Sequence, residues 1–223
     1  MIVEELGRKL AKVHSLEPPV NRRIQWISET FTESNVNSYK KSPNSEIIEE
    51  NNLNYFIEND FENEFRLLMK SIDDCNSPIV FSHNDFGFCN ILVRNQIKNN
   101  QLKETIVLSD FEVSSYGFRG RDFGLVFDDW LDFNGLTYDN NCQTIIEPFL
   151  KSYLSESIRI VGQNYANNEF NSLQHLIKES KVFLLLQKLF SVLYFLNVDQ
   201  TILPKLTTKT EIMVIYQYSH ISK

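Results

Sequence analysis

Three polar residues between positions 83 and 110 have the types and the spacing that phosphoryl transfer requires. His83-Asn84-Asp85 follows a short apolar run, Ile79-Val80-Phe81, and Asn90 stands five positions after Asp85. Transfer to a hydroxyl needs a carboxylate to accept the hydroxyl proton and, close by, a side-chain oxygen to hold Mg2+; a rigid turn can carry both. Asp85 and Asn90 fit those two roles. A second carboxylate for the metal is supplied by Asp110, at the end of the run Thr105-Ile106-Val107-Leu108, where it is expected to point into a cleft beside a hairpin. His83, Asp85 and Asn90 are also residue types that turns use for local hydrogen bonds. What favours chemistry is the combination: an apolar strand, HxDxxxxN, a hairpin and a strand-ending Asp-Phe-Glu.

A second triplet competes for the metal. Asp122-Phe123-Gly124 spells the magnesium-binding triplet of protein kinases, but it follows Arg119-Gly120-Arg121 rather than a strand. The ligand should come from the strand that pairs back onto the catalytic turn, so the metal role goes to Asp110. The Asp122 triplet is read as a coincidence of spelling.

The elements that must position these residues follow from periodicity. Ile2, Leu6, Leu10 and Val13 recur at helical spacing and predict an opening helix to about His14, stopped by Pro18-Pro19. The stretch 33–52, rich in Asn, Ser, Lys and Glu, is expected to be a solvated, mobile loop. Ile57, Phe61, Phe65, Leu68 and Ile72 predict a second helix closed by Asn76-Ser77-Pro78. Ile79–Phe81, Ile91–Val93 and Thr105–Leu108 are expected strands, the last two joined by a polar hairpin loop from Arg94 to Glu104. Helices are expected over about Thr144–Val161, Phe170–Asn197 and Lys209–His220. Few strands, all beside the polar motif, imply a helical scaffold presenting a site.

Composition excludes several classes. The 223 residues lean toward one domain, with 42% hydrophobic residues to build a core. Twenty-two basic against 29 acidic residues, net -7, argue against a nucleic-acid surface and suit a protein that handles cations or metal-bound anions. Cys75, Cys89 and Cys142 form no CxxC pair, so no disulfide framework is expected and a reducing, cytoplasmic setting is. Glu4 and Glu5 stand where a signal peptide would begin with basic and apolar residues. The most apolar stretch, Phe183 to Leu196, is interrupted by Gln187, Lys188 and Ser191 and falls short of the ~20 residues of a membrane span. It reads as a buried helix, with Phe183, Leu184, Leu185, Leu186 and Leu189 in the core. His14, His175 and His220 stand alone and are expected to be surface or satisfied core residues.

With these residues in place a resemblance becomes specific. His83-Asn84-Asp85 with Asn90 is shared with aminoglycoside phosphotransferases and similar kinase-like enzymes. The continuation Asp110-Phe111-Glu112, Ser114-Ser115-Tyr116, Arg119-Gly120, Asp122, Phe127 and Trp130 resembles the choline/ethanolamine kinase family, choline kinases more than ethanolamine kinases. The resemblance implies an α+β, mainly helical fold: the C-terminal lobe of a protein-kinase-like enzyme, spanning 1–223, with a small β-hairpin at the catalytic site. The family's nucleotide-binding N-terminal lobe has no counterpart in the sequence.

By that resemblance Asp85 is the catalytic base, with His83 beside it, and Asn90 and Asp110 are Mg2+ ligands. Asp122 resembles the aspartate that steadies the catalytic loop; Glu112 and Arg119 are structural residues at the site. Asp129 falls where the family faces the substrate's cationic head. Two cage tryptophans of the family are replaced by Gln187 and Phe190, and Tyr218 aligns with a cage tyrosine. Cation–π contacts with Trp are the strongest of their kind, so the cage is weakened here. The implied activity is ATP- and Mg2+-dependent phosphorylation of choline, or of ethanolamine, as the first step of the CDP-choline route to phosphatidylcholine. The partners would be the amine alcohol and ATP, without nucleic acid or a membrane span, and with homodimerisation left open. The alternatives are a kinase of the same fold for another small molecule, or a non-catalytic lobe that binds or dimerises with a complete kinase.

Overall fold

The computed structural model describes residues 2–22, 61–98, 101–134 and 142–197. Contacts divide the chain into two compact units, one of residues 1–23 and 72–184, the other of 24–71 and 185–223. Every element around positions 83 to 110 belongs to the first.

Helix α1 (Ile2–His14) buries Leu6, Leu10 and Val13 at helical spacing and carries Glu4 and Glu5 in its first turn and Lys12 in its last. That charge order favours the helix dipole at both ends. Helix α2 (Phe61–Asp74) is followed by Asn76, whose positive φ of 47° turns the chain toward the first strand. Residues 57–60 of the expected second helix lie outside the described residues, as do the loop at 33–52 and the helix expected over Lys209–His220.

Strand β1 (Ile79–Ser82) pairs antiparallel with β4 (Ser115–Phe118), with Ile79 opposite Phe118 and Ser82 opposite Ser115. Between them β2 (Ile91–Lys98) and β3 (Gln101–Leu108) form a second antiparallel pair, Ile91 opposite Leu108 through to Lys98 opposite Gln101. These strands run through most of the expected Arg94–Glu104 loop. Backbone pairing sustains a ribbon past the point where apolar side chains stop, so composition alone places the strand ends too early.

Helix α3 (Arg119–Asn134) was not expected from the sequence, yet it carries Asp122. A π-helical turn (Cys142–Ile146) leads into α4 (Glu147–Val161), which has Pro148 in its first turn where a missing N–H costs nothing. Two 3-10 turns (Gln163–Tyr165 and Glu169–Asn171) then precede α5 (Leu173–Asn197). Among the described residues no helix is long and apolar enough to cross a membrane.

The core of the first unit joins Leu6, Leu10 and Ala11 of α1, Phe123, Val126, Phe127 and Trp130 of α3, and Phe149, Leu150 and Tyr153 of α4. The aromatic rings meet edge to face, with Phe123 and Tyr153 centroids 5.1 Å apart and Trp130 and Phe149 5.6 Å apart. Two glycines allow the closest backbone approaches: a methyl on Gly7 would strike the Phe149 carbonyl, and one on Gly124 the backbone of Phe183. Phe183, Leu184 and Leu186 are buried as expected, but Leu185 is 50% exposed. On a helix with one side buried, a residue between Leu184 and Leu186 can face outward while its neighbours do not.

Candidate active site

The turn after β1 is built on one buried carboxylate. Asp122, fully shielded in the first turn of α3, accepts the backbone N–H of His83 through Oδ2 and that of Asn84 through Oδ1, each at 2.8 Å. His14 Nε2 lies 3.0 Å from the same Oδ2, and His14 Nδ1 lies 2.9 Å from the Tyr153 hydroxyl. Between the two clamped amides the backbone is strained: Asn84 has φ 65°, in the left-handed region that non-glycine residues seldom occupy. Its amide nitrogen donates to the Val113 carbonyl at 3.2 Å and to Ser115 Oγ at 2.9 Å, tying this turn to the chain beyond β3.

Further bonds close the two turns onto each other. Ser114 Oγ donates to the His83 carbonyl at 3.0 Å. His83 is fully buried, and its Nε2 must donate to the Ser109 carbonyl at 2.9 Å, since a carbonyl can only accept. Its Nδ1 has no hydrogen-bond partner among the described residues. Phe111 and Phe86 flank the ring at centroid distances of 4.5 and 5.9 Å.

Asp85 is exposed, whereas Asn90 is nearly buried in the 3-10 turn Phe88–Asn90. Asn90 Nδ2 donates to the Asp85 carboxylate at 2.7 Å and to the Asp85 carbonyl at 2.9 Å. The amide's two hydrogens are thereby directed at Asp85, and its oxygen is left as an acceptor. The Asn90 carbonyl accepts the Ser109 N–H at 3.0 Å, which sets Asp110, the next residue, beside the same turn. Asp110 is exposed and has φ 61°. Positive φ in a non-glycine residue costs of order 1–3 kcal/mol and persists only where the surroundings over-determine it. Here it occurs at Asn84 and at Asp110, on either side of one cluster.

The other expected site residues are more dispersed. Asp129 Oδ2 accepts the Phe88 N–H at 2.8 Å, so it braces the 3-10 turn that carries Asn90. Glu112 is exposed. Arg119 lies fully buried at the opposite side of the α3 first turn, bonded to Glu179, Asn171, Tyr165 and the Phe170 carbonyl. Burial opposes its charge, but the Glu179 carboxylate outweighs that and raises it above its ordinary value. Burial brings Arg121 down to about 10, against the pull of Asp122 and Asp85. Phe190 lies on α5 in the second unit, and Tyr218 is outside the described residues.

Two contributors escaped the sequence reading. His14 is a satisfied core residue, one of the two outcomes expected of it, but its partners lie 108 and 139 positions away and no local pattern points to them. Helix α3 did leave a signal: Phe123, Val126, Phe127 and Trp130 recur at i, i+3, i+4 and i+7.

Comparison with known proteins agrees with this architecture. The choline/ethanolamine kinase family model matches residues 1–212. Over 126 residues, 56% of the chain, the sequence is 31% identical to a human choline/ethanolamine kinase. Over 130 residues it is 30% identical to mouse choline kinase alpha. These matches cover 30% and 28% of the two relatives, so the matched stretch spans under a third of their length. The structure resembles an ethanolamine kinase of Plasmodium vivax with a TM-score of 0.58 at 18% identity, covering 96% of this chain and 58% of that one.

Proposed function

The chain belongs to the choline/ethanolamine kinase family, and from that premise we propose that it serves ATP-dependent phosphorylation of choline or ethanolamine, with Asp85 as the base. The observation that carries the proposal is the Asp85–Asn90 pair. An exposed carboxylate is held by a nearly buried amide at 2.7 Å, on a turn whose backbone is clamped by Asp122. A base must meet the substrate hydroxyl in a fixed orientation, and this arrangement removes the freedom a surface aspartate normally has.

Asn90 Oδ1 and the Asp110 carboxylate are the proposed magnesium ligands. Both are hard oxygen donors, and Mg2+ is typically held by one or two carboxylates together with substrate phosphates rather than by an all-protein cage. That fits the donor set: among the described residues no three His, Cys, Asp or Glu side chains gather into a metal-holding group. When bound, Mg2+ would neutralise charge on the phosphates. Asn90 has a double task, orienting Asp85 through its nitrogen and offering its oxygen to the metal. His83 stiffens the turn through Ser109, and Asp122 fixes the backbone on which Asp85 stands.

Asp129, already bracing Phe88, is proposed as the carboxylate that faces the substrate's ammonium group. Choline is the preferred acceptor on the Asp110–Gly120 motif, the phosphoamine then entering phosphatidylcholine synthesis in the cytoplasm. A coupled assay with Mg-ATP and either amine tests this. Asp85→Asn should lower kcat by at least about a thousandfold with little change in nucleotide binding, since a base acts in the transition state. Near-normal kcat in that variant would remove Asp85 from the role.

A further inference from the structure

We infer that His14, the last residue of α1, is a positioning residue for the 83–90 turn, acting through Asp122 on the backbone that carries Asp85. The inference rests on the reading of Asp85 as the base.

Asp122 accepts three N–H groups, two from the turn and one, from His14, that is not part of it. The His14 and Asp122 side chains are 2% and 0% exposed, so no water replaces a lost partner without entering the core. The roles along the chain can be assigned. Burial holds the Tyr153 phenol well above its ordinary value, so Tyr153 stays protonated and can donate to His14 Nδ1. His14 Nε2–H then donates to Asp122 Oδ2, the oxygen that also holds the His83 N–H. An apolar core residue at position 14 would fill the space but give Asp122 no donor.

The clamp works against strain. Asn84 sits at φ 65° with its N–H on Asp122 Oδ1, one residue before Asp85. If Asp122 tilts for want of its third donor, the strained residue is free to relax, and Asp85 moves with it. A shift of about 1 Å in a reacting group can cost on the order of a hundredfold in rate. His14 also lines, with Ala11, Tyr153, Tyr165 and Asn171, a pocket of about 140 Å³. A free imidazole could therefore enter where the side chain has been removed.

The test uses the full-length protein and the variants His14→Ala and His14→Gln. His14→Ala should lose about 10- to 100-fold in kcat, with KM for ATP and amine changed less than about threefold. Added imidazole should restore part of the loss. His14→Gln, which keeps an N–H donor, should stay within about fivefold of the parent. Independently of activity, amide exchange at His83 and Asn84 should quicken at least about tenfold in His14→Ala, while amides in the middle of α4 do not change. Imidazole should reverse this. Unchanged kcat and unchanged exchange at His83 and Asn84 would overturn the inference. So would a uniform loss of protection in all helices that imidazole does not reverse. If the parent protein phosphorylates neither amine, the kinase reading fails, and the exchange measurement still decides whether His14 governs the turn.

Discussion

Asp122 and Glu179 are both fully buried, and each takes hydrogen bonds around the first turn of α3, but their partners differ in kind. Glu179 meets a guanidinium: Arg119 binds it through Nε and Nη2, and Ser77 Oγ donates to it at 2.6 Å while accepting the Gly120 N–H. Arg119 in turn donates through Nη1 to Asn171 Oδ1 at 2.7 Å and through Nη2 to the Phe170 carbonyl at 2.9 Å. Charge cancels charge, and two helices, two turns and the chain before β1 are fixed together. The hydrogen bonds that Asp122 accepts come from two backbone amides and one imidazole, and the Arg121 guanidinium acts on it through charge. The first arrangement locks elements to one another. The second dictates the conformation of a single turn, whose far end stays exposed and carries Asp85. A buried carboxylate can thus serve packing or presentation, and its partners tell which.

The largest effect should come from breaking the first arrangement. Glu179→Gln leaves Arg119 buried with its charge uncompensated, which typically costs about 3–5 kcal/mol of stability. Urea unfolding should show that loss, and the double change Arg119→Met with Glu179→Leu should recover much of it, because apolar pairs of similar volume often replace a buried ion pair without penalty. A double variant as unstable as Glu179→Gln alone would mean that the bonds to Asn171 and Phe170 matter more than the ion pair.

Close behind comes Phe123→Ala. Phe123 is fully buried among Phe149, Tyr153 and His14, so truncation should cost about 3–5 kcal/mol. Its magnesium requirement, measured on folded protein, should match that of the parent, whereas Asp110→Ala should raise it steeply. Metal dependence governed by Phe123 would reverse the assignment of the two aspartates.

Asp122→Asn sharpens the comparison from the other side. One of its three N–H donors would then face an amide N–H, at a stability cost of about 1–3 kcal/mol, smaller than for Glu179→Gln. Turnover should nevertheless fall on the order of a hundredfold, because the strained turn is released. Stability lost to the extent seen for Glu179→Gln, with kcat intact, would put both carboxylates in the packing class.

What could be read in the sequence follows the same divide. Short-range signals were sufficient for α1, α4, α5 and β1, whose apolar residues repeat within a few positions. The chemistry-bearing turn was visible because Asp85, Asn90 and Asp110 lie on consecutive segments. The clamp was not visible as a physical unit. Asp122 reaches back 39 positions to the His83 N–H, and His14 reaches forward 108 to Asp122. Its triplet partners are accounted for by packing, Phe123 in the core and Gly124 against Phe183. β4, Ser115-Tyr116-Gly117-Phe118, is four residues long and contains a glycine, too little for a period-two pattern to register. It exists because β1 supplies its hydrogen bonds.

The smallest effect belongs to a carboxylate at the edge of the same unit. Glu156 of α4 is pulled down to about 2, first by the hydrogen bonds from Arg159, with burial opposing and the charges of Arg159 and Lys12 assisting. Those bonds measure 2.8 and 2.9 Å, and Lys12 of α1 stands 3.5 Å away. A carboxylate whose folded value lies below its unfolded one, 4.5 here, stabilises the fold at pH above that unfolded value. The contribution fades as pH falls from about 4.5 through about 2, and below that the group is protonated in both states. Arg159 is two-thirds exposed, so solvent screens the pair and the effect is modest. Glu156→Gln should therefore lower Tm by a few degrees at most at pH 6, with the gap to the parent closing as pH drops through 4 to 3. A gap that is constant across that range would mean that Glu156 acts through packing between α1 and α4 and not through its charge.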